Sequence, residues 1–214
     1  SWQKLIRVLT HEIMNSLGPV LSLSKSLQKS TGNPDKLLEG LNTIENTGEG
    51  LIHFIKEYRK LSTLPPPEKE EILLPELFVQ IASLFSEEIR GMDVGFHLDT
   101  GEQELTVHAD RHQLEQVLVN LVRNALDSLE GSKDGKVVLE SSLENGMVVI
   151  RVEDNGPGIP AELLDQVFIP FYSTKKGGSG IGLSLSRQIM HNHGGTLGCS
   201  SIPGGPTVFT LRFR

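Results

Sequence analysis

The sequence predicts a molecule in two parts: an α-helical hairpin, then an α/β sandwich with a mixed sheet and its helices on one face. Three observations predict it. Residues 1–63 carry two long apolar patterns at helical spacing. Three consecutive prolines, Pro65-Pro66-Pro67, then interrupt the chain; prolines in series stop a helix and favour a stiff extended segment. Beyond them strand-like and helix-like patterns alternate, as in a sheet covered by helices.

In the first part, Leu5, Leu9, Ile13, Leu17, Val20, Leu21 and Leu27 recur on one helical face. Ser30-Thr31-Gly32-Asn33-Pro34 breaks the pattern, and Leu37, Leu41, Ile44, Leu51, Ile55 and Tyr58 resume it, with Gly48 in the same seam. Steps of three and four residues are coiled-coil-like. Two helices alone have too little core to be stable, so the hairpin is expected to form a homodimeric four-helix bundle. The boundaries follow: a hairpin over 1–63, a linker over 64–70 and a second domain over 71–214. The chain opens within helix at Trp2-Gln3-Lys4-Leu5-Ile6, which predicts a longer parent.

In the second part, 75–89 reads as helix and 93–98 and 104–107 as strands. Residues 111–129 form a strong amphipathic helix. Residues 136–143 and 147–152 form a hairpin across Glu144-Asn145-Gly146, a turn-favouring triplet. A last helix covers 182–191, and closing strands cover 196–200 and 208–213. Glu68 to Glu71 reads as a solvated charge run.

Composition narrows the function classes. The 214 residues are 37% hydrophobic and 22% charged, ordinary for one or two globular domains. A net charge of −7 argues against a broad nucleic-acid surface. The single cysteine, Cys199, excludes an internal disulfide and suits a reducing compartment. No apolar run approaches the roughly 18–20 residues of a membrane span. No nucleic-acid or membrane contact is therefore expected of this chain, and the location is expected to be cytoplasmic, either free or as the cytoplasmic portion of a membrane-anchored parent.

The chemistry concentrates at four places. Asp154-Asn155-Gly156-Pro157-Gly158 follows the apolar strand 147–152. A carboxylate at a strand end accepts a hydrogen bond from an exocyclic amine such as that of adenine, and glycines let backbone approach a flat ligand. A plain turn would use the same residues. Downstream, Lys175-Lys176-Gly177-Gly178-Ser179-Gly180-Ile181-Gly182 feeds a helix; such a loop directs backbone N–H groups and a helix dipole at an anion. It has neither the P-loop order nor a preceding strand. On the 111–129 helix, Asn120 and Asn124 stand four apart on one face, and amide oxygens suit Mg2+.

Together these segments resemble the gyrase/Hsp90/histidine-kinase ATP-binding superfamily. Asn120-Leu121-Val122-Arg123-Asn124-Ala125-Leu126-Asp127 resembles its N box, and Asp154 to Gly158 its G1 box. Phe168-Ile169-Pro170-Phe171-Tyr172-Ser173-Thr174-Lys175 is similar to its F box, and Gly178-Ser179-Gly180-Ile181-Gly182-Leu183 to its G2 box. The boxes occur in family order across 71–214. The resemblance implies a Bergerat-type sandwich binding ATP and Mg2+. Asp154, Gly156 and Gly158 would lie at the adenine, and Asn124 and Asn120 would hold the metal. Lys175, Gly178, Gly180 and Gly182 would hold the phosphates.

ATPases of the superfamily place Glu where this chain has Asn120, and an amide cannot serve as base for water. The position therefore fits a kinase. Thr10-His11-Glu12-Ile13-Met14-Asn15 resembles the H box of sensor histidine kinases of the nitrogen-regulation type. Imidazole is a competent nucleophile near neutral pH. The resemblance makes His11 the phosphoacceptor, Glu12 the proton acceptor for its other nitrogen, and Asn15 the residue that orients water against a partner's aspartyl-phosphate. One departure stands out: the family's proline after the asparagine is Ser16 here, with Pro19 further on.

The implied activity is an ATP-dependent protein-histidine kinase of a two-component system. It would autophosphorylate His11, pass the phosphoryl group to a response-regulator receiver domain, and act as that regulator's phosphatase. The ATP domain must then reach His11, so a linker that bends is expected. Two rivals remain open at this point: an ATPase switch or chaperone of the same superfamily, and a dimeric scaffold with a degenerate ATP domain. Met14 and Met190 read as packing residues. The remaining histidines read as surface or structural, with His193-Gly194-Gly195 as a helix-ending turn.

Overall fold

The computed structural model describes residues 2–29, 34–101, 103–175 and 179–213; at several positions in the first two helices, His11 and Glu12 among them, only the backbone is described. The chain divides into two compact units, Ser1–Thr63 and Leu64–Arg214.

The first unit consists of α1 (Trp2–Lys29), with Pro19 inside it, and α2 (Pro34–Ser62). The helices pack together closely enough that a Cβ on Gly40 would stand 2.7 Å from the Leu27 side chain. Met14, Leu21, Leu38, Leu41 and Ile52 are exposed on this unit. Met14 was expected to pack; it does not do so within the chain.

The second unit begins with β1 (Glu70–Leu73), α3 (Leu74–Leu84), α4 (Ser86–Met92), β2 (Gly95–Asp99) and β3 (Thr106–Ala109). It continues with α5 (Arg111–Ser128), β4 (Lys136–Glu144), β5 (Met147–Asp154), α6 (Gly182–Asn192), β6 (Thr196–Ser201) and β7 (Thr207–Phe213). The main sheet runs β2-β4-β5-β7-β6. β2 is parallel to β4 and every other pairing is antiparallel, so the expected mixed sheet is present. The β4–β5 hairpin closes where expected, with Glu144 opposite Met147 and both Asn145 and Gly146 at positive φ, the twist that a two-residue hairpin turn needs.

Strand register brings the apolar positions into rows under the helices. Leu139, Val152, Phe209 and Cys199 form one row, and Ser141, Ile150, Leu211 and Leu197 the next. Against them α5 presents Leu114, Val117, Leu118, Leu121, Val122 and Leu126, all almost wholly buried. The row nearest the ends of these strands is Val137, Asp154, Thr207 and Ser201, which puts Asp154 at the edge of the core.

Three features differ from expectation. The helix expected over 75–89 breaks at Phe85, whose ring is buried beneath the Arg123 guanidinium, 4.8 Å away. Burying that ring separates α3 from α4. Asp93, expected to open a strand, is left-handed (φ 54°) and ends α4, a conformation short polar side chains tolerate. Glu68 to Glu71 are exposed, as a solvated charge run is, but Glu70 and Glu71 also open β1, which pairs with β3 in a second, two-stranded sheet. Residues just before it are also tied to this unit, through Gln113 Nε2 to the Pro65 carbonyl (3.1 Å), Glu68 N–H to Asp110 Oδ2 (2.9 Å) and Lys69 Nζ to the His193 carbonyl (3.1 Å).

His193-Gly194-Gly195 ends α6 as expected. Gly194 N–H donates to His191 O and Gly195 N–H to Met190 O, the paired bonds of a Schellman cap. The His193 ring is itself a tie: its Nδ1 lies 2.8 Å from Ile189 O, and its Nε2 accepts the Asp110 N–H at 2.9 Å.

Candidate functional site

Between α5, the end of β5 and the start of α6 lies a cavity of about 620 Å³. Asn120, Asn124, Asp154, Gly158, Lys175, Gly180 and Gly182 all line it. Residues far apart in sequence thus meet in one place. Gly156 adjoins it through Asp154. Gly178 lies outside the described residues. His11, Glu12 and Asn15 belong to the first unit, on α1.

Asp154 is 3% exposed. Its Oδ1 accepts from Ser128 Oγ and from Gly156 N–H, each at 2.9 Å. Among the described residues Oδ2 has no hydrogen-bond partner, and Asp154 lines the cavity. That leaves one acceptor oxygen for a ligand's N–H. Burial pushes the Asp154 carboxyl above the ordinary carboxylate range, against the two hydrogen bonds and the Lys175 charge, which pull it down.

The turn after Asp154 is held from both sides. Asn155 Oδ1 accepts from Lys136 N–H (2.6 Å), and its Nδ2 donates to Asp134 O (2.9 Å). Gly158 has φ 75°, and a Cβ there would collide with the Ile202 carbonyl. The end of β6 and the turn after it clasp this loop through Gly204 N–H to Pro157 O (2.7 Å) and Ile159 N–H to Ser201 Oγ (2.8 Å).

The other wall is the segment from Ile159 to Lys175. Phe168 meets Phe209 edge-on at 6.4 Å and lies under the Arg187 guanidinium at 4.7 Å. Phe171 N–H donates to Gly180 O at 2.9 Å, joining this segment to the glycine-rich loop. Phe171 takes φ 66° and Gly180 φ 65°. A bulky residue at positive φ is held there only by its surroundings, and here a Cβ on Gly180 would stand 2.5 Å from the Phe171 carbonyl carbon.

At the far end, Asn120 Nδ2 donates to Ser186 Oγ at 3.0 Å, tying α5 to α6. Its carbonyl oxygen lies so near Gly182 that a Cβ there would collide with it. Asn124 Oδ1 accepts from Lys175 Nζ at 3.4 Å, and Asp127 Oδ2 from the same ammonium at 2.7 Å. A cationic group thus already rests on Asn124 and Asp127, so this spot suits a cation. Amide oxygens such as that of Asn124 are hard neutral donors that fit Mg2+. The first turn of α6, from Gly182, brings backbone N–H groups that have no partner within their own helix to the same end.

Sequence reading missed Asp127, Ser128, Thr207 and Phe209 at this site. Ser128 stands one turn beyond Asn124, and the series 120, 124, 128 on one helix face was the signal for it. Thr207 and Phe209 reach the site through the pairing of β7 with β5, which no local pattern announces.

A profile of the histidine kinase-, DNA gyrase B- and HSP90-like ATPase family matches residues 109–214. The sensory histidine kinase/phosphatase NtrB of Escherichia coli O157:H7 is 32% identical over 210 residues, covering 94% of this chain and 59% of NtrB. The sensor protein kinase PilS of Pseudomonas aeruginosa is 30% identical over 210 residues, covering 96% of this chain and 39% of PilS. The chain thus spans about three fifths of NtrB and less of PilS. Among solved structures, the catalytic domain of histidine kinase ThkA superposes with a TM-score of 0.62 at 37% identity, over 68% of this chain and 97% of that one. ThkA in complex with response regulator protein TrrA gives a TM-score of 0.68 at 32% identity, over 97% of this chain and 60% of that one. The boxes, the cavity they line and this likeness agree: the chain belongs to the histidine kinases, and its second unit has the Bergerat-type fold of their catalytic ATP-binding domain.

Proposed function

We propose that this chain is the catalytic core of a sensor histidine kinase that transfers the γ-phosphoryl group of ATP to His11 and then to an aspartate of a response regulator. The observation that carries the kinase reading over hydrolysis is Asn120. It stands on the cavity wall as an amide bonded to Ser186, where a water-activating base would need a carboxylate. Of the carboxylates that line the cavity, Asp154 accepts from Ser128 and Gly156 and Asp127 from Lys175, and neither stands at the Asn120 position.

In this reading Asp154 Oδ2 accepts the adenine amine, and Gly158 lets the backbone pass close to the ring. Lys175, the 178–182 backbone and the start of α6 hold the phosphates. Asn124 with Asn120 would hold Mg2+, which would supply charge neutralisation on the phosphoryl oxygens. A nitrogen of the His11 imidazole attacks the γ-phosphorus, the bond to the β–γ bridging oxygen breaks, and ADP leaves. Glu12 takes the proton from the other ring nitrogen, which keeps phosphohistidine neutral at the ring. The phosphoryl group next passes to a receiver aspartate, and His11 is restored. Phosphoryl transfer needs mainly positioning and electrostatics, which is what these residues offer. Asn15 would orient water against the aspartyl-phosphate, giving phosphatase activity.

The exposed Met14, Leu21, Leu38 and Leu41 support dimerisation of the first unit as a four-helix bundle, since apolar faces of this extent seek a partner. Among the described residues no helix is long and apolar enough to cross a membrane.

The decisive experiment is incubation with γ-labelled ATP. Acid-labile, base-stable phosphoprotein is expected in the parent chain and none in His11→Ala. Label retained on histidine in His11→Gln would overturn the assignment. Steady phosphate release without phosphoprotein would favour an ATPase.

A further inference from the structure

Resting on the nucleotide-binding reading above, we infer that Asp127 is a positioning residue for Lys175: it holds the lysine at the phosphate end of the cavity and competes with the nucleotide's phosphates for it. Lys175 Nζ lies 2.7 Å from Asp127 Oδ2 and 3.4 Å from Asn124 Oδ1. All three residues line the cavity. Asp127 follows Asn124 by three positions on α5, so both face the same side.

The pairing is not an ordinary helix-surface salt bridge. The natural partner for Asp127 along its own helix is Arg123, four residues back. Arg123 turns away to Glu88 and to the Phe85 ring. The cation Asp127 takes instead comes from the segment leading into the glycine-rich loop. That segment is turned to present it, with Lys175 N–H donating to Ser173 Oγ at 3.1 Å.

The Lys175 and Asp127 side chains are 43% and 37% exposed. An ion pair this exposed is weak and readily exchanged. An ammonium is a point charge with three donors, and a triphosphate offers it far more negative charge than one carboxylate. Once the lysine turns to the phosphates, Asp127 is left as a like charge beside them. Both effects lower affinity for a polyphosphate and leave the adenosine end untouched. Asp127 therefore weakens the hold on the phosphate chain specifically, which favours release of ADP after each transfer.

The test is calorimetric titration of the full chain and of Asp127→Asn and Asp127→Glu with ATP and with adenosine, each with Mg2+ and with a chelator. In Asp127→Asn, ATP is expected to bind about 3- to 5-fold more tightly, the range an exposed ion pair reaches. The gain should shrink with added salt. Adenosine affinity should stay as in the parent, and Asp127→Glu should keep the parent's values for both ligands. An ATP affinity in Asp127→Asn equal to the parent's overturns the inference. So does a loss seen only with Mg2+, which would make Asp127 a metal ligand. If the parent chain binds ATP in no condition, the nucleotide reading fails and the inference with it.

Discussion

Ser128 Oγ lies 2.9 Å from Asp154 Oδ1, and that contact decides which carboxylate oxygen faces the cavity. The Ser128 hydroxyl, whose single hydrogen is shared with the Ala125 carbonyl 2.7 Å away, is carried by α5, so α5 orients a side chain carried by β5. The Gly156 N–H on the same oxygen completes the clamp. The cavity-facing oxygen is therefore set before any ligand arrives, which reduces the ordering cost of binding.

Asp154→Asn should separate binding from stability. The amide oxygen will keep the Ser128 and Gly156 bonds, which turns its NH2 to the cavity, donor against donor. A hydrogen bond to a charged group is worth about 1.5–3 kcal/mol, so ATP affinity should fall by about 10- to 150-fold. The folded unit should not suffer. Burial raises the Asp154 carboxyl above its unfolded value, so between those two values the native state binds more protons than the unfolded one. Stability then falls as pH rises through that interval, and the ionised carboxylate is a net cost above it. Urea denaturation at neutral pH should find Asp154→Asn as stable as the parent or more so, while titration calorimetry shows the binding loss. Ser128→Ala should have a smaller effect, about 1 kcal/mol or 5-fold in ATP affinity, the worth of one net hydrogen bond.

Gly182→Ala should disable the phosphate end through Asn120. The new Cβ collides with the Asn120 carbonyl, so Asn120 must leave and the bond to Ser186 is lost with it. Overpacking of this kind costs about 1–3 kcal/mol. The double variant Asn120→Ala/Gly182→Ala removes the clash and should regain most of that stability in urea denaturation, a non-additive result. It should not regain autophosphorylation.

The boxes were legible because each depends on local spacing: Asn120 and Asn124 share a helix face, Asp154 closes a strand, and the glycines precede α6. The β4–β5 turn was legible for the same reason, from Asn145-Gly146. What escaped depends on contacts between distant segments. Phe85 breaks a helix to lie under Arg123, and β1 exists only because β3 pairs with it. Thr207 enters the site by register with Asp154. The contact of Lys175 with Asp127 is a matter of side-chain geometry that no spacing encodes.

Cys199 should be a slow thiol. Burial, aided by the Asp154 carboxylate, pushes it up to about 11. Against about 8.5 for a free cysteine, its thiolate fraction at pH 8 is lower by on the order of 200-fold, and the thiolate is the reactive form. Alkylation of the native chain at pH 8 should be correspondingly slow and become fast in denaturant. Labelling at the rate of a free thiol in the native chain would contradict the shielding of the half-buried Cys199 beside Phe209.

Asp110 should make the second unit acid-sensitive. It caps α5 through Gln113 N–H at 3.0 Å and holds Glu68 N–H at 2.9 Å. Burial alone would raise its carboxyl, but those two bonds, the His193 ring and the His112 N–H outweigh it and leave the group below its ordinary value. A depressed native value means the unfolded state binds more protons as the pH drops. The stabilisation is therefore complete above the ordinary aspartate value and disappears as pH falls through the native one. Asp110→Ala should cost about 1 kcal/mol at neutral pH, as lost N-caps do. Urea denaturation followed by circular dichroism should show the gap between parent and variant narrowing as pH falls through the acid range. Asp110→Asn should fall between them at neutral pH, because its one carbonyl oxygen can keep the Gln113 N–H but its NH2 cannot accept from Glu68. A gap that stayed constant from neutral to acid pH would show that the carboxylate's charge contributes nothing beyond the shape of the cap.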